Sequence, residues 1–348
     1  MDLKPALYGL DLDEIKELIQ ANKAEAYRAA QLADWIYKKH IRNFKEAKNF
    51  PRALAERLES KYTLSGLEFF EAHHSSNAES VKYLFKSHEG SLLESVLISQ
   101  SGRRTVCVST QLGCKIGCVF CASGKGKFGR NLTAGEIVEQ VAWIEREIGE
   151  PVTNIVFMGM GEPLDNFEAT MKALRILQAP WGFEIGARRI TVSTSGITPK
   201  IVEFVKRSEG RVRLSISLHS SQEKKRTELV PINKKYSLRE LSQTLRVIHR
   251  DLKRDITFEY TLIDGVNDSR EEAEGVARIA KPIRAKVNII PYNPIREMEF
   301  KTPSPQAVDN FRMILKKNGV RVTVRQTAGR DINAACGQLR LDRGNKHE

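Results

Sequence analysis

The sequence has no apolar run long enough to cross a membrane and no leader of the secretory kind. Its first five residues, MDLKP, do not begin a basic stretch followed by an apolar stretch and a small-residue cleavage site. We therefore expect a cytoplasmic protein with no membrane partner. Cysteine is also scarce: there are five, an odd number, and four of them lie between Cys107 and Cys121. This excludes the disulfide framework of a secreted protein and favours metal or redox chemistry.

Acidic residues are in the minority. Fifty-six Lys and Arg against 43 Asp and Glu leave a net charge of +13. Such an excess favours a polyanionic partner such as a nucleic acid, through contacts with phosphates. A basic soluble enzyme without such a partner is the alternative, since net charge informs about partners and not about fold. The hydrophobic fraction of 41% and the charged fraction of 28% are ordinary for a soluble globular protein.

The first 65 residues are predicted to form a small helical domain, because apolar side chains recur there at the spacing of one helix face. Basic side chains in this segment are expected either to contact RNA or to form a solvated helix surface. Residues 66–100 are predicted as a β-hairpin linker, with strands over 81–86 and 92–98. The apolar helix positions are Leu12, Ile15, Leu18, Ile19, Leu32, Trp35, Ile36, Leu54 and Leu58.

Residues 101–348 alternate regularly between strand and helix patterns. Six βα units followed by a last strand over 320–325 predict an α/β fold, a partial (βα)6 barrel whose chemistry lies at the carboxyl ends of the strands. A doubly wound sheet is the alternative fold. Capping boxes are predicted at Thr133 with Glu136, Ser237 with Glu240, and Ser269 with Glu272. The strands are predicted to begin near Thr105, Asn154, Arg189, Val212, Ile256 and Lys286.

Cys114, Cys118 and Cys121 form a C-x3-C-x2-C run after the first barrel strand. Three thiolates at this spacing can bind three irons of a 4Fe–4S cubane, and the lack of a fourth nearby ligand leaves one iron open for a chelating molecule. Structural zinc is the alternative, but zinc prefers four ligands, and His219 follows only about a hundred residues later. The spacing, with an aromatic residue just before the last cysteine, resembles the radical S-adenosylmethionine superfamily. That resemblance implies one cluster, with S-adenosylmethionine on the open iron.

Four other segments end predicted strands and carry small or polar residues. In GMGEP, residues 159–163, small residues let the backbone approach a ligand, and Glu162 can accept hydrogen bonds from an ammonium group. Residues 193–196, 217–219 and 291–294 end three further strands. Any one of them could be an ordinary turn, but their common position on one rim predicts a lined site.

The remaining cysteines and one glutamate are ambiguous from their neighbours alone. Cys107 lies in the apolar strand VCV, which is typical of a buried small hydrophobe. Cys336 lies among small residues after the last strand, which suits an accessible nucleophile. Glu94 lies in the apolar strand LLESV and is either a solvent-facing position or a base with a perturbed pKa; the strand pattern favours the solvent-facing interpretation.

Over essentially its whole length the sequence resembles the RlmN family, bacterial enzymes that methylate carbon 2 of adenosine 2503 in 23S rRNA and of adenosine 37 in tRNA. The resemblance is carried by the cluster run and by RNLT at 130–133, MGMGEPL at 158–164, STSG at 193–196, SISLH at 215–219, Arg226 with PIN at 231–233, GVND at 265–268, and DINAACGQL at 331–339.

This resemblance implies a reaction through the protein's own cysteines, with two S-adenosylmethionine molecules per turnover. The first methylates Cys336, and the second yields a radical that removes hydrogen from that methyl group, so that a methylene group adds to carbon 2. Glu94 is then the base that removes the carbon-2 proton. Cys107 releases the RNA by forming a transient disulfide with Cys336. The implied contacts to S-adenosylmethionine are Gly161, Glu162, Ser193, Ser217, Leu218, His219 and Asn293.

The implied partners are 23S rRNA, tRNA and an electron donor such as flavodoxin or ferredoxin, with the enzyme acting as a monomer. The sister enzyme that methylates carbon 8 of the same rRNA adenosine is the nearest alternative, and Pro163 after Gly161 and Glu162 favours the carbon-2 enzyme. A cluster protein that binds RNA or senses redox state without methyl transfer is a second alternative. A peptide-modifying radical enzyme is a third, but such enzymes usually carry extra cluster cysteines.

Overall fold

The computed structural model describes residues 4–296, 298–325 and 328–340. Its N-terminal part contains three helices, α1 (Leu12–Ala21), α2 (Arg28–Tyr37) and α3 (Arg52–Lys61). The apolar positions predicted for these helices are largely buried, and they share one core cluster with the barrel. Within the described ranges, no helix combines the length and the apolar character needed to span a bilayer.

One sheet of ten strands follows, and its spatial order is the order of the sequence. The first four strands are antiparallel, and from β4 onward every neighbouring pair is parallel. The strands are β1 (Leu67–His74), β2 (Ser80–Ser87), β3 (Leu92–Gln100), β4 (Arg103–Cys107), β5 (Asn154–Phe157), β6 (Ile190–Thr194), β7 (Arg213–Ser217), β8 (Thr257–Leu262), β9 (Lys286–Pro291) and β10 (Arg321–Val324).

Helices connect the parallel strands. They are α4 (Ala122–Lys125), α5 (Ala134–Ile148), α6 (Phe167–Gln178), α7 (Thr198–Arg207), α8 (Glu223–Leu229), α9 (Leu238–Ile248), α10 (Arg270–Ala280) and α11 (Pro305–Lys317). The predicted partial barrel is confirmed. The doubly wound alternative is wrong, because such a sheet needs a reversal of strand order, and this order has none.

Strand β1 was not predicted from the sequence. Most of its residues are exposed or half-buried, so it lacks the alternation of apolar and polar residues that marks a half-buried strand. Its pairing with β2 extends the sheet at the edge away from the barrel. In the described part of the chain β1 and β10 do not pair with each other, so the sheet stays open.

The two faces of the parallel strands differ in chemistry. Val106, Ile155 and Leu214 point to the outer face and belong to the main hydrophobic core. Because side chains alternate along a strand, their neighbours point to the concave inner face. That face is polar or reactive, which is unusual for a buried surface and indicates a binding site; it carries Thr105, Cys107, Ser193, Ser215, Ser217 and Glu259.

Only one of the three predicted capping boxes is complete. At α5 the side chain of Thr133 accepts from the backbone of Glu136, and the Glu136 carboxylate accepts from the backbone of Thr133. Ser237 and Ser269 cap α9 and α10 in the expected way. The glutamates at their third positions are used elsewhere, since they accept from hydroxyl groups of neighbouring elements: Glu240 from Thr198, and Glu272 from Ser220 and Ser221.

The N-terminal helices pack directly on the barrel helices α5 and α6. Gly9 and Gly135 meet backbone to backbone, because a Cβ atom on Gly9 would lie 2.4 Å from the Gly135 nitrogen. Nearby, His40 Nε2 lies 2.8 Å from Glu145 Oε2 in a largely buried pair. Three further ion pairs cross the same junction: Lys172 with Glu14, Arg175 with Asp11, and Arg146 with Glu46.

Glu139 of α5 is fully buried at the point where the N-terminal helices lead into β1. Its carboxyl group accepts hydrogen bonds from the Ser65 hydroxyl and, at 2.8 Å, from the Gly66 backbone N–H. Burial raises its pKa to about 8, against 4.5 for an ordinary glutamate. The folded protein therefore binds this proton more tightly than the unfolded chain.

We expect Glu139→Gln to remove part of the pH dependence of folding. The stability contributed by the proton is fully present below about pH 4.5 and is lost as the pH rises through about 8. At roughly 1.4 kcal/mol per pKa unit, the variant gains about 2–4 kcal/mol over wild type near pH 8 and little near pH 5. Urea unfolding at both pH values measures this. Glu147→Gln, exposed on the same helix, is the control, and an equal gain from it at pH 8 contradicts the assignment.

Candidate active site

The three cysteines of the C-x3-C-x2-C run lie in the loop that follows β4, at the carboxyl end of the barrel strands. An apolar shell surrounds the loop and is formed by Ile116, Phe120, Leu229, Val230, Ile263 and Tyr292. Gly124 closes the loop tightly, because a Cβ atom there would lie 2.7 Å from the Cys118 carbonyl oxygen. Burial raises the pKa of all three thiols, that of Cys114 to about 12. Thiolates here therefore need a strongly bound metal partner.

This arrangement fits a 4Fe–4S cluster better than a single metal ion. Across residues 4–296, 298–325 and 328–340, no three Cys, His, Asp or Glu side chains converge closely enough for one ion. In a cubane each thiolate binds a different iron, so the sulfurs lie farther apart than around one ion. The zinc interpretation therefore lacks a site in the described part of the chain. Arg226 is fully buried near this loop, and the Cys118 thiol acts on its charge.

A cavity of about 150 Å³ opens beside the three cysteines. Five of the seven residues expected to contact S-adenosylmethionine line it together with the cysteines; they are Gly161, Glu162, Ser193, Ser217 and His219. Asn293 lies in the wall of the neighbouring cavity. Leu218 is fully buried, and its carbonyl oxygen accepts from Arg226.

Glu162 is 2% exposed and is held in place by three hydrogen bonds. One carboxylate oxygen accepts from the N–H and the hydroxyl of Ser195, at 2.7 and 2.8 Å, and the other accepts from the Leu164 N–H at 3.0 Å. Burial raises its pKa. A carboxylate that has further lone pairs in a buried pocket is suited to accept hydrogen bonds from the ammonium group of an amino acid.

His219 is fixed as the neutral imidazole. Its Nδ1 accepts a hydrogen bond of 3.0 Å from the Thr261 N–H, which leaves the proton on Nε2. Burial, and then the charge of Arg226, lower its pKa to about 3. Phe120 packs against the ring with its centroid 4.6 Å away. The residue thus presents a neutral, immobile donor to the cavity.

A second cavity, of about 340 Å³, brings together the two cysteines outside the cluster run. Cys107, at the end of β4, and Cys336 both line it, although they are more than two hundred positions apart in sequence. Cys121 of the cluster run and Asn293 share its wall. Cys336 also lines the first cavity, so its side chain stands between the cofactor pocket and Cys107.

The segment that carries Cys336 is anchored at several points. The Asn293 amide donates to the Cys336 carbonyl at 3.1 Å, and the Ala122 N–H donates to the Gly337 carbonyl at 2.7 Å. Gln338 donates to the Pro294 carbonyl at 2.9 Å. These contacts tie the segment to the cluster loop and to the end of β9. Cys336 was expected to be accessible, but it is half-buried in the folded chain.

Glu94 is buried, so the solvent-facing interpretation of its strand position is wrong. It is 4% exposed and faces inward from β3. Lys82 Nζ lies 3.1 Å from Glu94 Oε1, and the other carboxylate oxygen accepts from the Arg340 N–H at 2.9 Å. The strand sequence is apolar on both sides of Glu94 because both faces of β3 are covered.

Three charged residues near the site, Arg325, Lys82 and Glu259, were not predicted from the sequence. The guanidinium group of Arg325, which follows β10, lies within hydrogen-bonding reach of Cys336 and also faces Cys107 and Glu259. Burial raises the pKa of Glu259, which accepts from Ser215 and Asn288 on the concave face. The position of Arg325, a charged residue at the carboxyl end of a barrel strand, could have indicated a role in the site. Arg325 belongs to no sequence motif, so it was not among the predicted site residues.

Two family models match the chain. The model of the radical SAM superfamily covers residues 108–276, and the model of the ribosomal RNA large subunit methyltransferase N-terminal domain covers residues 6–64. A probable dual-specificity RNA methyltransferase RlmN of Clostridium botulinum is 44% identical over 329 residues, 94% of each chain. The protein of the same name from Geobacillus kaustophilus is 43% identical over 341 residues, 97% of this chain and 92% of the relative.

Among solved structures, a radical SAM methyltransferase from Sphaerobacter thermophilus superposes on the chain with a TM-score of 0.92. The two are 42% identical, and the match covers 97% of this chain and 99% of the other. The likeness therefore includes the N-terminal helices, the hairpin and the segment around Cys336 as well as the barrel.

Proposed function

Because this chain belongs to the RlmN family of radical S-adenosylmethionine methyltransferases, we propose that it methylates carbon 2 of adenosine 2503 in 23S rRNA and of adenosine 37 in tRNA. The relatives are named as dual-specificity RNA methyltransferases, which supports two RNA substrates. The observation that carries the proposal is the single cavity lined by Cys107 and Cys336 next to the cluster loop. A radical enzyme that acted on a bound small molecule would not need two such cysteines.

Carbon 2 of adenine is electron-poor, since it lies between two ring nitrogens, and it does not attack a methyl sulfonium group. The cluster and S-adenosylmethionine supply the methyl group and the radical that activates it. In this proposal Cys114, Cys118 and Cys121 hold the cluster, and the residues that line or adjoin its cavity hold S-adenosylmethionine: Gly161, Glu162, Ser193, Ser217, Leu218, His219 and Asn293.

Cys336 would carry the methyl group on its sulfur between uptake from S-adenosylmethionine and transfer to carbon 2. The position of Cys336 in the walls of both cavities supports this role, because it faces the cofactor on one side and leaves room for a base on the other. The guanidinium group of Arg325 lies within hydrogen-bonding reach of the Cys336 sulfur, so a cation adjoins the proposed nucleophile. Transfer joins carbon 2 covalently to the protein.

Glu94 removes the proton from carbon 2. Lys82 Nζ lies 3.1 Å from the carboxylate and helps to hold it in place as the group that accepts this proton. The bond to the Arg340 N–H places the carboxylate at the segment that carries Cys336. An adenine joined to Cys336 therefore lies close to the base.

Cys107 then attacks the Cys336 sulfur: a disulfide bond forms, the bond from that sulfur to the methylene carbon breaks, and this carbon takes up a proton to become the methyl group of the released RNA. Burial raises the pKa of the Cys107 thiol to about 12, and the charge of Arg325 opposes that effect. A thiol that stays protonated does not compete for the methyl group early in the reaction. The disulfide must be reduced before the next turnover.

The three parts of the chain divide these tasks. Residues 1–65 contact RNA, residues 66–100 carry the base, and residues 101–348 form the barrel with the cysteine segment. The match of residues 6–64 to a domain named for a ribosomal RNA methyltransferase supports the first assignment. The enzyme works as a monomer and receives single electrons from a donor such as flavodoxin or ferredoxin.

Mass spectrometry of the RNA product tests the proposal. Anaerobic incubation of the cluster-loaded protein with S-adenosylmethionine, a reductant and either a 23S rRNA fragment or unmodified tRNA is expected to yield 2-methyladenosine at one position in each RNA. An 8-methyladenosine product assigns the protein to the sister reaction and refutes the carbon-2 proposal. Absence of both methylated RNA and 5′-deoxyadenosine points instead to a cluster protein that binds RNA or senses redox state.

A further inference from the structure

Arg226, in α8, is fully buried, and its hydrogen-bond acceptors among the described residues are all uncharged oxygens. Its Nε donates to the Leu218 carbonyl at 3.1 Å, and its Nη2 donates to the Ser195 and Ser217 carbonyls at 2.7 and 3.2 Å. These carbonyls belong to the ends of β6 and β7. Nη1 donates to the Asn233 side-chain oxygen at 2.6 Å. Arg226 therefore ties together two strand ends and the turn after α8.

The positive charge of Arg226 has no carboxylate in contact with it among the described residues. Glu223 is the nearest candidate, but Asn233 stands between them, donating to Glu223 Oε1 at 2.5 Å while accepting from Arg226. A buried guanidinium group without a counter-ion carries a large desolvation cost. Burial lowers the Arg226 pKa to about 10, so the group remains charged at neutral pH.

The cluster loop packs directly against the turn that Arg226 organises. The Val119 N–H donates to the Leu229 carbonyl at 3.1 Å, and a Cβ atom on Gly117 would lie 3.9 Å from the Pro231 ring. The thiol group of Cys118 is the ionisable neighbour that acts most strongly on Arg226. An anionic cluster held by that thiolate is thus the natural counter-ion of Arg226.

We propose that Arg226 is a positioning residue that sets the reduction potential of the cluster with its buried charge. Three thiolates make a 4Fe–4S cluster anionic, and one-electron reduction adds one more negative charge to it. A fixed cation at Cys118 stabilises the reduced form more than the oxidised form. The cation therefore allows a weaker electron donor to reduce the cluster. This inference rests on the proposed function only in that Cys114, Cys118 and Cys121 hold the cluster.

The test is an anaerobic redox titration of the reconstituted protein, followed by electron paramagnetic resonance, without RNA. Arg226→Met is expected to lower the equilibrium constant for one-electron reduction at least tenfold, which is 59 mV for such a couple. Arg226→Lys keeps the charge but loses the fork of donors, and is expected to stay within about threefold of wild type. A purely structural role predicts instead that Lys and Met disturb the site alike and leave the midpoint potential unchanged.

A charge-swap variant tests the same point without removing Arg226. Asn233→Asp places a carboxylate in contact with the guanidinium group, and Glu223→Gln removes the carboxylate on the far side of residue 233. The double variant therefore keeps the net charge constant. The hydrogen bonds from Arg226 to Ser195, Ser217 and Leu218 are kept. We expect the equilibrium constant for reduction to fall at least threefold. Glu223→Gln alone removes only the outer charge and is expected to leave the constant equal to wild type or slightly above it.

The outcomes separate this inference from the proposed function. A wild-type midpoint potential in both the Met and the charge-swap variants overturns the role of Arg226 while the cluster assignment stands. If Arg226→Met does not assemble a cluster, an unshifted charge-swap variant overturns the inference by itself. A wild-type protein that binds no iron removes the cluster assignment, and the inference falls with it.

Discussion

Cys107→Ala is expected to leave the protein covalently joined to its RNA, with no free methylated product. Without the Cys107 thiol, and with Cys121 assigned to the cluster, no thiol of this cavity is left to attack Cys336 once carbon 2 is attached to it, so the enzyme stops after one addition. Denaturing gel electrophoresis of an anaerobic reaction with tRNA shows the adduct as a shifted band, and mass spectrometry places the link at Cys336. We expect the variant to lose multiple turnover completely.

Cys336→Ala is the matched control for that experiment. It removes the residue that carries the methyl group, so neither an adduct nor methylated RNA is expected, while the cluster and the formation of RNA complexes remain. The double variant is expected to behave like Cys336→Ala, because the adduct forms before Cys107 acts. Release of free methylated RNA by Cys107→Ala at the wild-type rate assigns the resolving step to another group.

Glu94→Gln is expected to slow methylation by roughly 10²–10⁴-fold, the usual contribution of a general base. The amide preserves the size of the side chain and its contact with the Arg340 N–H but does not accept the carbon-2 proton. RNA should therefore accumulate as the adduct even though Cys107 is intact. Single-turnover kinetics with adduct and product measured separately distinguish slow release from slow addition.

Lys82→Met extends this prediction to the ion pair behind the base. Lys82 is largely buried beside Glu94, and its loss removes a cation that lies 3.1 Å from the carboxylate. The rate is expected to fall, because the base loses a contact that holds it in place. Glu68→Gln, exposed on β1 of the same sheet, is the control. A wild-type rate for Glu94→Gln shows that the proton leaves by another route.

The helices and the parallel strands were predictable because each follows a local pattern. The three N-terminal helices show the 3.6-residue spacing of apolar side chains, and the barrel strands were placed close to their observed starts. Strand β1 escaped because its residues are mostly exposed and it pairs only with β2. The capping boxes predicted at α9 and α10 are incomplete because Glu240 and Glu272 accept hydrogen bonds from other elements instead.

Glu94 and Arg325 show where local patterns lose their force. Alternation along a strand identifies the exposed face only when one face meets water, and β3 is covered on both sides. Arg325 belongs to no sequence motif. Its place in the site follows from its contact with Cys336, which only the folded chain shows.

The sequence by itself predicted the cluster ligands and determined the βα repeat and the family, because these depend on spacing within short segments and on matches along the chain. Only the tertiary structure decided that Cys107 and Cys336 line one cavity, that Glu94 is buried against Lys82, and that Arg226 is buried behind the turn that contacts the cluster loop. The physical reason is that burial and charge pairing are set by neighbours far apart in sequence. The fold brings Cys336 and Cys107 to one cavity and Lys82 to Glu94, which supports the roles proposed for these residues.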